Sequence, residues 1–95
     1  MAVLHKLHTA PDSPSSSFSL QTRIQEEDAL LLTEDAVYIA AFPNFNEFVG
    51  TVARIYALKE DLMARGLTQL PEQVTQISYA DMVELSLQYT QVVSW

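Results

Sequence analysis

The spacing of apolar segments constrains the fold of this chain more than any other feature. Six short apolar segments alternate with polar or helix-forming stretches. Residues 29–32 are apolar throughout, which is typical of a strand buried on both faces of a sheet. Strands that alternate with short helices predict an α/β fold with a small, doubly wound, mainly parallel sheet flanked by those helices. The other predicted strands cover residues 2–8, 36–42, 52–58, 74–77 and 91–95.

A helix is predicted over residues 59–65 because its two ends carry the expected residue types. Glu60 and Asp61 fall in the first turn, where the helix dipole favours acidic side chains. Arg65 falls in the last turn, and Gly66 follows it in the position that favours a left-handed backbone. These four residues therefore have a structural role, and the two charge types also suit a contact with another subunit.

A second helix is predicted to begin at Ser78. Asp81 lies three residues further on, where a capping box places an acidic side chain. The helix carries a wide apolar stripe, made by Met82, Val83, Leu85, Leu87 and Tyr89. The remaining polar stretches predict a loop at residues 9–17, a solvated turn at residues 26–28 and a tight turn at residues 33–35. A weak helix is predicted to run to about residue 25, with Ser13 as its N-cap and Pro14 as its first residue.

Length and charge limit what the chain can bind. Its 95 residues suffice for one domain, and 48% of them are hydrophobic, as in a folded protein. The net charge is −7, and the five Lys and Arg residues are scattered along the sequence. Binding to a phosphate backbone depends on clustered basic residues, so direct contact with nucleic acid is not expected.

The chain contains no cysteine, which excludes a disulfide framework, a thiolate zinc site and a thiol nucleophile on these residues. The N-terminus shows no signal peptide, and no apolar run approaches the roughly 20 residues that span a bilayer. These features predict a cytoplasmic protein without a membrane contact, a metal or a cofactor.

His5 and His8 are the two histidines of the chain. Residues three apart on a strand face opposite sides, so the two are poorly placed as a metal-binding pair, and packing is the favoured role. An enzyme that acts through His5, His8 and Asp35 remains an alternative hypothesis. Ser13, His8 and Asp35 would form the residue types of a catalytic triad, but no nucleophile elbow accompanies them.

Several short motifs follow one another in a characteristic order over nearly the whole chain. Together they resemble the DsrH/TusB family of sulfur-relay proteins, although Ala10 and Ala36 stand where that family usually has serine and glycine. The motifs are Leu4-His5, Leu7-His8, Pro11, Leu30-Leu31-Leu32, Asp35-Ala36-Val37, Tyr56-Ala57-Leu58, Glu60-Asp61-Leu62, Ala64-Arg65-Gly66-Leu67, Tyr79 to Leu85, and Ser94-Trp95.

The resemblance implies a DsrEFH-like fold and a non-catalytic subunit. Members of this family assemble with TusC-like and TusD-like subunits into a heterohexamer that passes persulfide sulfur toward 2-thiolation of the tRNA wobble uridine. A related branch serves sulfur oxidation, and that role remains an alternative. The fold alone would also suit a small stand-alone module that binds a ligand at the carboxyl ends of its strands.

Two departures from the family bear on function. Some members carry a cysteine in the first helix, and many have a histidine near the C-terminus where this chain has Tyr89. Both departures favour a scaffold role without a catalytic residue. Ala36 in place of glycine predicts that the turn before it needs no positive φ. The residues expected to contact partner subunits are Asp35, Glu60, Asp61, Arg65, Gly66, Tyr89 and Trp95.

Overall fold

A computed structural model describes residues 3–8, 27–41 and 54–94 of the chain. The strands are β1 (Val3–Leu7), β2 (Ala29–Leu32), β3 (Arg54–Leu58), β4 (Val74–Ile77) and β5 (Gln91–Ser94). The helices are a 3-10 helix at Glu34–Ala41, α1 at Lys59–Ala64 and α2 at Tyr79–Leu87. All neighbouring strands are parallel, and they lie in the order β4-β3-β2-β1-β5.

This topology confirms the predicted α/β fold. The chain moves steadily from β1 to β4, and α2 then returns it to the opposite edge, where β5 pairs with β1. Parallel neighbours need such crossover segments between them, and helices supply the ones that the structure describes. The carboxyl ends of all five strands consequently lie along one edge of the sheet.

The central strand β2 is buried on both faces, as its continuous apolar sequence predicted. Leu30 and Leu32 point into one apolar layer, and Ala29 and Leu31 point into the other. The first layer also contains buried side chains of the 3-10 helix and α1, namely Ala36, Val37, Ile39, Ala40 and Leu62. The second layer packs against α2 and the residues after it, through Met82, Leu85 and Tyr89.

The strand predicted at residues 36–42 is wrong, because residues 34–41 form a 3-10 helix. The Ala36 amide donates to the Thr33 carbonyl at 3.0 Å, which closes the first turn. A strand buries alternate residues, whereas this segment buries two adjacent pairs separated by one exposed side chain, Tyr38. The apolar run was therefore correctly assigned to the core, but its buried residues follow a helical spacing and not the alternation of a strand.

The end of α1 follows the sequence prediction closely. Gly66 has a φ of +68°, the left-handed conformation expected after the last helical turn. Its amide donates to the Met63 carbonyl at 3.2 Å, and the Leu67 amide donates to the Leu62 carbonyl at 3.0 Å. These two bonds define a Schellman motif and satisfy carbonyls that a helix end otherwise leaves unpaired.

The predicted capping box at the start of α2 is also confirmed. The Asp81 amide donates to Ser78 Oγ at 3.2 Å, and the Ser78 amide donates to Asp81 Oδ2 at 3.3 Å. The helix ends at Leu87, so Tyr89 lies just beyond it. The two hydrogen bonds of the capping box therefore fix the residue at which α2 begins.

The remaining predictions of secondary structure divide into two groups. The strands expected at residues 2–8, 52–58, 74–77 and 91–95 are present where the structure describes them. The predicted loop at residues 9–17 and the weak helix after it lie outside the described residues. Among the helices of the described ranges, none is long and apolar enough to cross a membrane.

Candidate functional site

Charged side chains gather at the edge of the sheet where β2 and β3 end. In doubly wound folds this edge is the usual location of functional sites, because the loops that follow the strands meet there. We refer to five of these residues as the carboxyl-edge cluster: Glu34, Asp35, Glu60, Asp61 and Arg65. Four of them were expected to contact partners, and the structure brings those four together.

Arg65 connects the acidic residues that follow β2 with those that follow β3. Its Nε and Nη2 atoms donate to Asp35 Oδ1 at 3.1 and 2.9 Å. Its Nη1 atom donates to the Asp61 carbonyl oxygen at 3.1 Å and lies 3.7 Å from Asp61 Oδ1. The hydrogen bond with Asp35 raises the pKa of the guanidinium further above its ordinary value. Arg65 therefore holds a carboxylate of its own chain in a fixed place.

Asp61 supports an unusual backbone conformation at Glu34. Glu34 has a φ of +51°, a left-handed value that is uncommon for residues other than glycine. Its amide donates to Asp61 Oδ2 at 2.7 Å, a short contact to a charged acceptor. Backbone strain of this kind persists where surrounding contacts determine it, and it concentrates at functional sites.

The conformation of Glu34 also shows that one prediction was wrong, namely that the turn before Ala36 needs no positive φ. The turn does use a positive φ, and the residue that adopts it is Glu34, two positions before the family's usual glycine. Sequence reasoning missed Glu34 as part of the site, because Glu is not a residue type that signals a left-handed conformation. No feature of the sequence alone would have shown that Asp61 stabilises it.

Glu60 connects the cluster to α2. Its Oε2 atom lies 3.5 Å from the Tyr79 amide, the first residue of that helix. At this distance the hydrogen bond is weak, but it brings the ends of β3 and β4 into one polar surface. Hydrogen bonds from Thr33 to the Leu7 carbonyl extend the same edge to β1.

The carboxyl-edge cluster presents excess negative charge to solvent. It contains four carboxylates and one guanidinium, and the side chain of Arg65 is 21% exposed. The side chain of Asp35 is 67% exposed, and Glu34 and Glu60 are also exposed. Such a surface attracts basic surfaces and repels phosphate backbones.

A second polar contact, between His5 and Asp28, is buried between β1 and the start of β2. His5 Nε2 lies 2.8 Å from Asp28 Oδ2, and the Val3 amide donates to Asp28 Oδ1 at 2.9 Å. The prediction that Asp28 belongs to a solvated turn is wrong, since the residue is 1% exposed. Its position directly before a fully buried strand was the available signal.

The remaining residues that the sequence singled out have separate locations. His5 is buried and packed as favoured, whereas His8 lies beyond the end of β1 and is exposed. Gly66 is exposed, and Tyr89 is half-buried against α2. Ser13 and Trp95 lie outside the described residues. Within residues 3–8, 27–41 and 54–94, no group of three or more His, Asp and Glu side chains is arranged to hold a metal ion.

The fold defines a small parallel α/β protein of the DsrEFH-like class. The crystal structure of the ychN protein from E. coli superposes on it with a TM-score of 0.70, covering 99% of this chain and 97% of that one at 16% identity. A family described as DsrH like protein matches residues 12–92.

Proteins named Protein TusB are similar along nearly their whole length. The one from Salmonella dublin is 38% identical over 94% of this chain and 99% of its own length. The one from Escherichia fergusonii is 35% identical over 98% of this chain and 100% of its own length. The chain therefore belongs to the DsrH-like family of sulfur-relay proteins.

Proposed function

We propose that this chain is a non-catalytic subunit of a cytoplasmic sulfur-relay complex that supports 2-thiolation of the tRNA wobble uridine. The observation that carries the proposal is the similarity to Protein TusB over 94–98% of the chain. The resemblance stated above supplies the partners, which are TusC-like and TusD-like subunits arranged with it in a heterohexamer.

The chemistry of the chain supports a scaffold role. A persulfide is carried on a cysteine sulfur, and these 95 residues include no cysteine. The transferred sulfur therefore resides on a partner throughout the relay. The function of this chain is to hold the partner subunits in the arrangement that the transfer requires.

The carboxyl-edge cluster is the surface that we assign to this contact. Arg65 holds Asp35 by two hydrogen bonds, and Asp61 contacts both Arg65 and the Glu34 amide, so these three side chains lose little freedom when a partner binds. Excess negative charge suits a basic patch on the partner and accelerates association. Gly66, Tyr89 and Trp95 complete the set of residues proposed for the interface.

The function is tested by deleting this chain from its native cell and quantifying 2-thiouridine in purified tRNA by mass spectrometry. We expect 2-thiouridine to fall and to recover when the wild-type chain is restored. The His8→Ala variant should restore it equally well, because an exposed histidine has no catalytic part in this proposal.

Unchanged 2-thiouridine in the deletion strain would contradict the proposal. Loss of sulfur oxidation in the same strain would instead identify the other branch of the family. Failure of His8→Ala to restore thiolation, with the protein folded and present at normal levels, would show that the chain takes a chemical part in the relay.

A further inference from the structure

Helix α2 carries two separate apolar faces, and the carboxyl-edge cluster accounts for neither of them. Met82 and Leu85 face the sheet and pack in its second layer. On the other side, Tyr79, Val83 and Leu87 are 51%, 56% and 80% exposed. We call these three residues the outer stripe of α2.

Helix geometry shows that the outer stripe is more than the margin of the buried face. Residues four apart lie on one side of a helix, so these three side chains form a continuous row. Since each residue turns the helix by about 100°, the centre of the row lies about 130° from the midpoint of Met82 and Leu85. A surface helix normally has one apolar stripe, and its outer side is normally polar.

We propose that the outer stripe is a docking surface for another subunit of the relay complex, one whose contact face has apolar side chains at its centre and Lys or Arg at its rim. The inference rests on the proposed function, because the relay complex supplies the partner. It adds a second contact surface, on the helix that returns the chain across the sheet.

Charge determines which partner fits. The charged residues of α2 are Asp81 and Glu84, both acidic and both exposed, and the chain has no Lys or Arg after Arg65. Glu84 lies about 60° beyond Leu87 around the helix, at the border of the stripe. Asp81 lies about 160° from Val83 around the helix, and its carboxylate accepts from the Ser78 amide, so Glu84 is the acid that borders the stripe. A second copy of α2 would bring another Glu84 and no Lys or Arg of its own to this border, which disfavours self-association through the helix. A basic rim on a different subunit would pair with Glu84.

Truncation of the outer stripe tests the proposal without disturbing the fold. In the variant Val83→Ala with Leu87→Ala, two exposed side chains are shortened, and alanine is at least as favourable as either in a helix. Met63→Ala is the matched control, because Met63 is a 69% exposed apolar residue on α1. Glu84→Lys tests the charge of the rim.

The measurement is the dissociation constant between the full-length chain and the purified TusC-like and TusD-like subunits, with circular dichroism to confirm folding. We expect the double variant to bind at least about tenfold more weakly, as when central interface residues are truncated. Met63→Ala should bind like the wild type, and Glu84→Lys should bind more weakly, most clearly at low salt.

Four results would overturn the inference. Wild-type affinity in the double variant would show that the stripe is not a contact surface, while the proposed function would stand. Tighter binding by Glu84→Lys would show that the partner's rim is acidic. A wild-type homodimer that the double variant abolishes would identify a second copy as the occupant. Absence of any binding by the wild type would overturn the proposed function as well.

Discussion

Replacing Asp28 with alanine should destabilise the protein more than the change of any exposed acidic residue. The carboxylate of Asp28 is buried and contacts the Val3 amide at 2.9 Å and His5 Nε2 at 2.8 Å. Hydrogen bonds to a charged group contribute about 1.5–3 kcal/mol each. Removing the carboxylate also relieves its own desolvation, which offsets part of the loss.

The net cost of Asp28→Ala is therefore about 3 kcal/mol. A domain of this length has a free energy of unfolding of roughly 5–14 kcal/mol. Each kcal/mol shifts the melting temperature of such a domain by about 4–8 °C, so Tm should fall by about 15 °C. Asp28→Asn retains an acceptor for the Val3 amide and should cost about half as much.

Urea unfolding followed by circular dichroism at pH 7 measures this cost directly. The slope of the free energy against urea concentration should stay constant, since the variant exposes the same surface on unfolding. Glu72→Ala, at an exposed acidic residue, is the control and should change stability by less than about 0.5 kcal/mol. A loss below about 1 kcal/mol for Asp28→Ala would refute the reasoning, because the buried contacts would then contribute little net stability.

Three further predictions concern helix ends and the carboxyl-edge cluster. Gly66→Ala should lower the free energy of unfolding in urea by about 1 kcal/mol, because alanine disfavours a φ of +68° even though its methyl group would meet no atom within 4 Å. An unchanged stability would contradict the Schellman geometry. Ser78→Ala should cost about 1 kcal/mol by the same assay through loss of the cap, with Ser94→Ala, at an exposed residue, as the control. Arg65→Lys keeps the charge but loses the two contacts to Asp35 Oδ1. We expect it to weaken binding to the relay partners measured by calorimetry, and equal affinity would remove Arg65 from the proposed interface.

The sequence predicted local structure correctly where a residue type strongly favours one backbone conformation or one environment. Gly66 predicted the end of α1 correctly, and Ser78, three residues before Asp81, predicted the start of α2 correctly, because backbone conformation and capping are local properties. The continuous apolar run of β2 likewise predicted a strand buried on both faces, since few other environments accept such a sequence.

Predictions failed where the outcome depended on contacts between distant parts of the chain. The 3-10 helix at Glu34–Ala41 starts from contacts of Thr33 and Glu34 with β1 and α1, which a local pattern does not contain. Asp28 resembles its acidic neighbours in sequence, and only the parallel pairing of β1 with β2 places it beside His5. Tertiary context overrides local propensity in both cases.

In the candidate site, too, the residue types were predictable from the sequence, whereas their contacts were not. Asp35, Glu60, Asp61 and Arg65 were identified from the family pattern, but the pattern does not contain the hydrogen bond that joins Arg65 to Asp35 across 30 positions. Helix α2 was correctly predicted to have a wide apolar surface. The sequence could not show that the side of α2 formed by Tyr79, Val83 and Leu87 faces away from the sheet, because the direction of a helix face depends on how the helix packs.

Native mass spectrometry of this chain co-expressed with TusC-like and TusD-like subunits from the same cell tests the central proposal most directly. The proposal predicts a complex that contains equal numbers of the three subunits, with a mass corresponding to two copies of each. It also predicts that persulfide, detected as an added sulfur atom after exposure to a sulfur donor, appears on a partner and not on this chain. A monomer or homodimer of this chain in the presence of both partners would contradict it.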